Sequence, residues 1–419
     1  MKVAWLIGTE ITAVDFDRVN AVSNSGGWNN TQLRFLSDSK DISELVIISV
    51  RPKKYEQAIE TCKNVRIYHL PYNPVTKRVD LRLVDDISKI LEYEKPDILD
   101  IQGTETTYSA ITYLKAIPCP VLVAIHGIAF QCERFYTRGF PLKSLIFDRT
   151  LIENLAMKGV LEKKKLMHTR AAIERKILKA VMYVRGRTAW DQACVLSINE
   201  NIKYFHEELI LRDAFKKRKW SIDTCQPHRI FTTQANSPLK SLYTILEAVA
   251  LIKNEYNDVE LIVPGHPIRK GLIRGGNDKL IAEQIKKLGL ESNIIFTGNL
   301  DAEQMADELA KARVFVLQSE IENSPNSLAE AQMVGTPVVS SFTGGTPEYI
   351  EHGNTGYLYN SFDPVMAAMY IKRLFNDDVL CTQMSVKERN IARFRHNEEN
   401  ITKGLLKIYQ CIIDEEIVK

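Results

Sequence analysis

This chain lacks charge of one sign. Across 419 residues, 55 lysines and arginines meet 52 aspartates and glutamates, for a net charge of +3. That balance excludes a wholesale nucleic-acid binder built on charge alone. Paired cysteines are lacking too. Cys62, Cys119, Cys132, Cys194, Cys225, Cys381 and Cys411 are odd in number and scattered, with no C-x-x-C among them. A zinc site and a disulfide framework are therefore not expected, and the thiols read as reduced and buried in a cytosolic protein. No apolar run approaches the roughly 18 residues of a membrane-spanning helix. The longest candidate, PVLVAIHGIAF from Pro120, carries His126 within it. The opening MKVAWLIGTEITAVDF is too briefly apolar for a leader, and acidic residues follow soon after. The expectation is a cytoplasmic protein, at most peripheral to a membrane.

What is present is an ordinary globular mixture, 45% hydrophobic and 26% charged. That is enough apolar surface to offset chain entropy, and the length favours two domains. Short β-branched runs alternate with helical patterns throughout, which argues for parallel sheets with crossover helices. In the first half the strand candidates are KVAWLIG, LVIISV (from Leu45), VRIYHL (from Val65), DILDIQG (from Asp97) and PVLVAIHG (from Pro120). VDLRLVDDISKILEYE reads as a helix between them. The second half offers RIFTTQ (from Arg229), VELIVPG (from Val259), NIIFTG (from Asn293), VFVLQS (from Val314) and PVVSSF (from Pro337). These runs are apolar on both faces, as buried parallel strands are.

The pattern restarts near Arg229, after the basic stretch LRDAFKKRKWSIDTCQPH. We expect an α/β protein of two Rossmann-like, doubly wound domains facing a central cleft, spanning 1–210 and 228–395 with the boundary between 205 and 228. Ligands of such sheets bind beyond the carboxyl ends of the strands. From Lys158 to Arg187, ten basic residues face only Glu162 and Glu174, while Leu161, Leu166, Ile173, Ile177, Leu178 and Val181 recur at broadly helical spacing. This segment reads either as a basic amphipathic helix on an anionic membrane or as the solvated face of a packed helix.

The densest signal runs from Val314 to Leu358. A buried strand ends near Ser319, a polar loop follows, and a helix opens at about Pro325. Ser324 suits the N-cap and Pro325 the first helical position. The N–H groups of Asn326, Ser327 and Leu328 would then point out of the helix start and form an anion site suited to a diphosphate. Glu322 in the loop and Glu330 in the helix are carboxylates that can accept hydrogen bonds from sugar and ribose hydroxyls. Gly344-Gly345 permits positive φ and a close backbone approach.

Together Glu322-x7-Glu330, GTPVVSSF, Gly344-Gly345, Pro347-Glu348 and the downstream glycines resemble the signature of retaining GT-B glycosyltransferases of family 4, the glycosyl transferases group 1. More loosely, RIFTTQANSPLKSLYTILEAVALI resembles that family's first donor-domain strand, phosphate loop and helix. Lys240 falls on its diphosphate-binding lysine. The family's Gly-Arg is absent, with Thr233, Gln234 and Ala235 in that zone. GRTAWDQACVLSINENIKYFHEELILRDAF resembles a stretch of a bacterial polysaccharide-related subgroup.

The resemblance implies further roles. Gly26-Gly27-Trp28 matches a glycine loop near the donor phosphates, and His126 falls where the family has a histidine near the transferred sugar. Glu322 would contact that sugar, with the backbone of Asn323, Ser324, Asn326 and Ser327 holding sugar and diphosphate. Glu330 would bind the ribose, Lys240 would neutralise the leaving diphosphate, and Gly298 in FTGNL would lie near the base. Glu322, His126 and Lys240 are thus the catalytic candidates.

The implied reaction is metal-independent hexosyl transfer with retention, from a nucleotide-diphosphate sugar, a UDP-sugar, with no other cofactor. The implied acceptor is a saccharide or a polyprenyl-linked chain in cell-surface polysaccharide synthesis. No D-x-D motif is placed for a metal-bridged diphosphate. The helix FRHNEENITKGLLKIYQCIIDEEI, about 396–419, would pack back on the N-terminal domain. Three alternatives stay open: a nucleotide-sugar-binding protein without transfer activity, a sugar-nucleotide epimerase of similar shape, and a nucleic-acid binder using the Lys158–Arg187 face. The last lacks the interleaved aromatics that stacking needs.

Overall fold

The computed structural model describes residues 1–17, 27–52, 56–138, 159–233, 237–265 and 276–418. Packing divides the chain into two units. One comprises Met1–Phe130, Met167–Arg212 and His396–Lys419, and the other Gln131–Leu166 and Asp213–Arg395.

The first unit holds eight strands: β1 (Lys2–Ile7), β2 (Glu44–Arg51), β3 (Ala58–Cys62), β4 (Val65–Pro71), β5 (Ile98–Gln102), β6 (Val121–Ala124), β7 (Tyr183–Gly186) and β8 (Lys203–His206). They pair in the order β3-β4-β2-β1-β5-β6-β7-β8, parallel except for β3 against β4. Because side chains alternate across a strand, each strand feeds two cores. Val3, Trp5, Ile7, Leu45, Ile47, Ile98 and Leu122 share one core with Leu33 and Leu36 of α1 (Gly27–Ser37). Leu405, Tyr409 and Ile412 of the terminal helix join that core. Ala4, Leu6, Val46, Ile48, Leu99, Ile101 and Val123 share the other with α2 (Leu81–Glu94) and with Ala171, Ile177 and Leu178 of α3 (Val160–Ala180). The sheet is covered on both faces, which is why its strands read as continuous apolar runs. In α2, Leu83, Val84, Ile87 and Leu91 form one buried stripe, Asp80 caps the start through the Arg82 N–H, and Lys95 ends it in the left-handed region.

The second unit holds β9 (Arg229–Thr232), β10 (Glu260–Pro264), β11 (Ile294–Gly298), β12 (Val314–Leu317), β13 (Val338–Ser341) and β14 (Tyr357–Tyr359). All are parallel, in the order β11-β10-β9-β12-β13-β14. This is the Rossmann order, and its direction reverses between β9 and β12. The first helix after β9 is α4 (Leu242–Lys253), and the first after β12 is α5 (Asn326–Val334). The terminal helix is α6 (Glu398–Val418). No helix among the described residues is long and apolar enough to cross a membrane.

Every strand expected from the sequence is present, and four unexpected ones join them. β3 and β8 have no fully buried residue, and β14 has only three residues. β7 hides inside the basic segment because Arg185 is a strand residue there. That placement corrects the reading of Lys158–Arg187 as one amphipathic surface. Arg185 and Arg187 are buried, and Ile177 and Leu178 point into the core. Leu161, Lys163, Lys165, Lys176 and Lys179 of α3 stay exposed.

Candidate functional site

In the second unit the order reversal places the ends of β9 and β12 side by side, and the loops leaving them carry Lys240 and Glu322. The loop after β12 is almost wholly buried, with Glu322, Asn326 and Ser327 its only half-exposed members through Ser327. Neighbouring loops hold it by its backbone. The Glu320 N–H donates to the Leu239 carbonyl at 2.8 Å, and the Thr343 hydroxyl donates to the Glu320 carbonyl at 2.6 Å. The Ser341 hydroxyl donates to the Ser319 carbonyl at 2.7 Å, and the Gly345 N–H to the Glu322 carbonyl at 3.1 Å.

Lys240 closes a short 3₁₀ turn, Pro238–Lys240, and Ser241 turns left-handed at φ 43° to start α4. The Lys240 ammonium pairs with the Glu322 carboxylate, which also accepts from the Ser319 hydroxyl at 2.6 Å. The two residues that the sequence separated by about eighty positions thus share one ion pair.

The start of α5 differs from expectation by one residue. Pro325, not Ser324, is the N-cap, and no side chain caps the helix. Pro325 sits with ψ at 109°, extended rather than helical, so its carbonyl can begin the ladder by accepting from the N–H groups of Leu328 and Ala329. Leu328 is therefore not an outward donor. Asn326 and Ser327 keep N–H groups without an intrahelical acceptor, at the positive end of the helix dipole. Asn323 and Ser324 are buried in the loop, and Glu330 is buried one turn inside the helix.

Gly344 takes φ of +50°, and a Cβ there would lie 1.8 Å from the Glu322 carbonyl oxygen. The double glycine thus lets one backbone approach another, seating the loop that carries Glu322. Gly298 ends β11 at φ +79°, its carbonyl accepting from the Gly265 N–H at 2.8 Å. A residue that sequence reasoning missed is Glu320, two positions before Glu322 and 1% exposed. Burial pushes its carboxyl up to about 7, against the pull of Ser241 and the charge of Arg138. Its period-2 spacing from Glu322 was the available signal, but the strand ends before it.

In the first unit, His126 follows the carboxyl end of β6, and Gln102 closes β5 beside it. His126 Nε2 lies 3.3 Å from Gln102 Oε1. Burial, reinforced by the charges of Arg187 and Arg185, holds the imidazole well below its ordinary value. Gln102 belongs to a buried polar network that the sequence did not reveal. Asp100, Gln102, Arg185 and Glu207 come together with Trp5, Gln32 and Tyr409 on the face of the sheet that α6 covers. Of the glycines expected near phosphates, Gly27 begins α1. Gly26 lies outside the described residues, as do Gln234 and Ala235.

Residues 215–391 match the sequence profile described as Glycosyl transferases group 1. A D-inositol 3-phosphate glycosyltransferase of Streptomyces avermitilis is 34% identical over 152 residues, 35% of this chain and 32% of that protein. The chain thus spans about a third of that curated relative's length. Among solved structures, sucrose-phosphate synthase from Thermosynechococcus elongatus superposes with a TM-score of 0.71 at 15% identity, covering 99% of this chain and 100% of that one. Anabaena HepE in complex with UDP-glucose superposes at 0.65 and 15% identity, covering 98% and 100%. At such identities the two structures speak for the fold: two Rossmann-like α/β domains of the GT-B type.

Proposed function

We propose that this chain, whose residues 215–391 carry a glycosyl transferases group 1 domain, moves a sugar from a nucleotide-diphosphate donor to an acceptor hydroxyl with retention of configuration. The observation that carries the reading is the convergence of Lys240 and Glu322 at the β9/β12 reversal beside the start of α5. A cation, two outward N–H groups and a helix dipole suit a diphosphate. The Lys240–Glu322 pair is the resting arrangement. On donor binding Lys240 turns to the diphosphate and Glu322 to hydroxyls of the transferred sugar. Asn326 and Ser327 hold phosphate oxygens, Asn323 and Ser324 line the sugar, Glu330 serves the ribose, and Gly298 lies by the base. The bond from the anomeric carbon to the phosphate oxygen breaks, and the nucleoside diphosphate leaves. The acceptor oxygen adds from the same face, and its proton passes to the departing phosphate. Lys240 and the helix start carry the developing charge, so no metal is required.

The donor is proposed to be a UDP-sugar, as in the complex of the Anabaena neighbour. The acceptor is a saccharide or a polyprenyl-linked chain of cell-surface polysaccharide synthesis, met on the cytoplasmic side. Any contact with anionic lipid falls to the Leu161–Lys165 end of α3, where Leu161, Lys163 and Lys165 are exposed. A thermal-shift screen of UDP-, GDP- and ADP-sugars tests the reading, with Glu330→Gln as control. A ligand that binds only the folded state at a hundred times its Kd adds about 2.7 kcal/mol of stability. One donor class should shift the wild type and not the variant, and transfer to acceptor should follow without added metal and in EDTA. A chain that no nucleotide sugar shifts contradicts the reading. Donor binding with no transfer across an acceptor panel contradicts its enzymatic half.

A further inference from the structure

Three charged side chains meet on the face of the first sheet that α6 covers. Asp100 on β5 is 0% exposed, Glu207 just after β8 is 5% exposed and Arg185 on β7 is 6% exposed. One guanidinium serves both carboxylates. Arg185 Nη2 donates to Asp100 Oδ2 at 2.9 Å, and its Nη1 donates to Glu207 Oε2. With all three ionised, the cluster would hold one uncompensated negative charge away from water, which burial strongly disfavours. Two carboxyls that share one guanidinium in this way keep a proton between them. The donors around each carboxyl say where it sits. Asp100 accepts from three: Arg185, the Tyr409 hydroxyl at 2.6 Å and Gln102 Nε2 at 2.7 Å. Glu207 accepts from two: Arg185 and Gln32 Nε2 at 2.8 Å. The Gln32 amide can turn over and present its oxygen, so a protonated Glu207 Oε1 has an acceptor to donate to. Burial raises both carboxyls, Glu207 to about 7, with Arg185 pulling against it in each case. Once Glu207 is neutral, Asp100 keeps its charge and the guanidinium.

We propose that the Asp100–Arg185–Glu207 cluster is a proton-sensitive latch for the terminal helix. Tyr409 ties α6 to it, donating to Asp100 and accepting from Trp5 Nε1 at 2.8 Å. In the closed latch Glu207 carries the proton and the cluster is neutral. As pH rises the proton passes to water, the cluster gains a buried negative charge, and opening of α6 relieves it by admitting water. The chain arrives at α6 from the second unit, which ends at Arg395, so the latch governs how firmly this returning segment is held to the first. Other charges nearby are engaged elsewhere. Arg187, just beyond β7, acts on Glu207 less than Arg185 does. Glu208 turns to His206, and Glu415 and Glu416 of α6 turn to Lys203 and Tyr183. His126, 3.3 Å from Gln102 Oε1, is held neutral by burial and by Arg187 and Arg185. Burial also pushes the Tyr409 phenol well up, so it stays a donor throughout. The latch stands apart from the donor-binding reading, and its test needs no nucleotide.

Amide hydrogen exchange of the full-length chain, corrected for the intrinsic rate at each pH, provides the test. The closed Glu207 carboxyl lies above its ordinary 4.5, so its stabilisation is whole below that value and is lost as pH rises through about 7. Protection of α6 should therefore fall about tenfold between about pH 6 and about pH 8. Peptides of α2, on the opposite face of the sheet, should keep theirs. Glu207→Gln, neutral at every pH, should hold α6 as well at the higher pH as at the lower. Constant α6 protection in the wild type overturns the proposal. So does a loss that α2 shares equally, or one that persists in Glu207→Gln. Should that variant not fold, Trp5 of the wild type carries the test, because its indole N–H donates into the latch. Its ¹H–¹⁵N signal, one of four from tryptophan and assigned by its absence in Trp5→Phe, should shift with a midpoint of about 7. A signal that does not move across that range overturns the proposal.

Discussion

Replacing Gly344 by alanine separates two costs that a glycine can hide. The first is conformational, because a φ of +50° costs an alanine about 1 kcal/mol. The second is steric, because the new Cβ would lie 1.8 Å from the Glu322 carbonyl oxygen, far inside any contact distance. Relieving that overlap moves a tightly packed loop, at about 1–3 kcal/mol. The sum, about 2–4 kcal/mol, corresponds to an unfolding temperature lower by about 5–15 °C for a unit of this size. Gly353 is the control: its φ is +81°, but nothing lies within 4 Å of its Cβ position. Gly353→Ala should therefore cost only the conformational part, about 1 kcal/mol. Scanning calorimetry of both variants, with and without the donor that shifts the wild type, reads both effects. Gly344→Ala should also lose the donor shift, since Glu322 is displaced, while Gly353→Ala keeps it. Equal costs for the two variants, or a donor shift preserved in Gly344→Ala, would refute the claim that the double glycine seats Glu322.

Lys240→Ala breaks a pair whose lysine is about a third exposed, so it should change stability by less than about 1 kcal/mol while cutting the stabilisation by donor to about half or less. Glu320 makes a pH prediction. Its folded carboxyl sits at about 7 against an ordinary 4.5, so the folded state binds the extra proton. Stability from this group is present below the unfolded value and is lost as pH rises from about 4.5 to about 7, by about 3 kcal/mol. The difference in unfolding free energy between Glu320→Gln and wild type, followed by urea titration, should grow in the variant's favour across that window; a flat difference contradicts the assignment. Tyr409→Phe removes the partner of both Trp5 Nε1 and Asp100. It should cost about 1–3 kcal/mol by denaturant unfolding, because two buried polar groups lose a hydrogen bond.

Much of this was legible in the chain because buried parallel strands announce themselves. LVIISV and VFVLQS became β2 and β12 with little adjustment, since both of their faces are covered. Short strands did not announce themselves: Lys203–His206 has no fully buried residue, and Tyr183–Gly186 contains an arginine. That arginine also misled the reading of charge. Arg185 counts as part of a basic run in sequence, yet in the fold it neutralises Asp100 and Glu207, which come from distant strands and loops. Lys240 and Glu322 were both singled out, but their pairing depends on the β9–β12 adjacency, which no local pattern encodes. The α5 cap was misplaced by one residue because serine and proline each suit two neighbouring positions, and only the ψ of Pro325 decides between them.

The central claim is that the β9/β12 reversal binds a nucleotide-diphosphate sugar through Lys240 and Glu322. Isothermal titration of the full-length chain with UDP-glucose and its GDP and ADP counterparts tests it most directly, on wild type, Lys240→Ala and Glu322→Gln. The account predicts one-to-one binding of one nucleotide class by the wild type. It also predicts that affinity falls about tenfold or more in Lys240→Ala, the loss of a charge-assisted hydrogen bond, and falls in Glu322→Gln for the sugar nucleotide more than for the free nucleoside diphosphate. Binding equally tight in Lys240→Ala, or binding of none of the donors by the wild type, would contradict it.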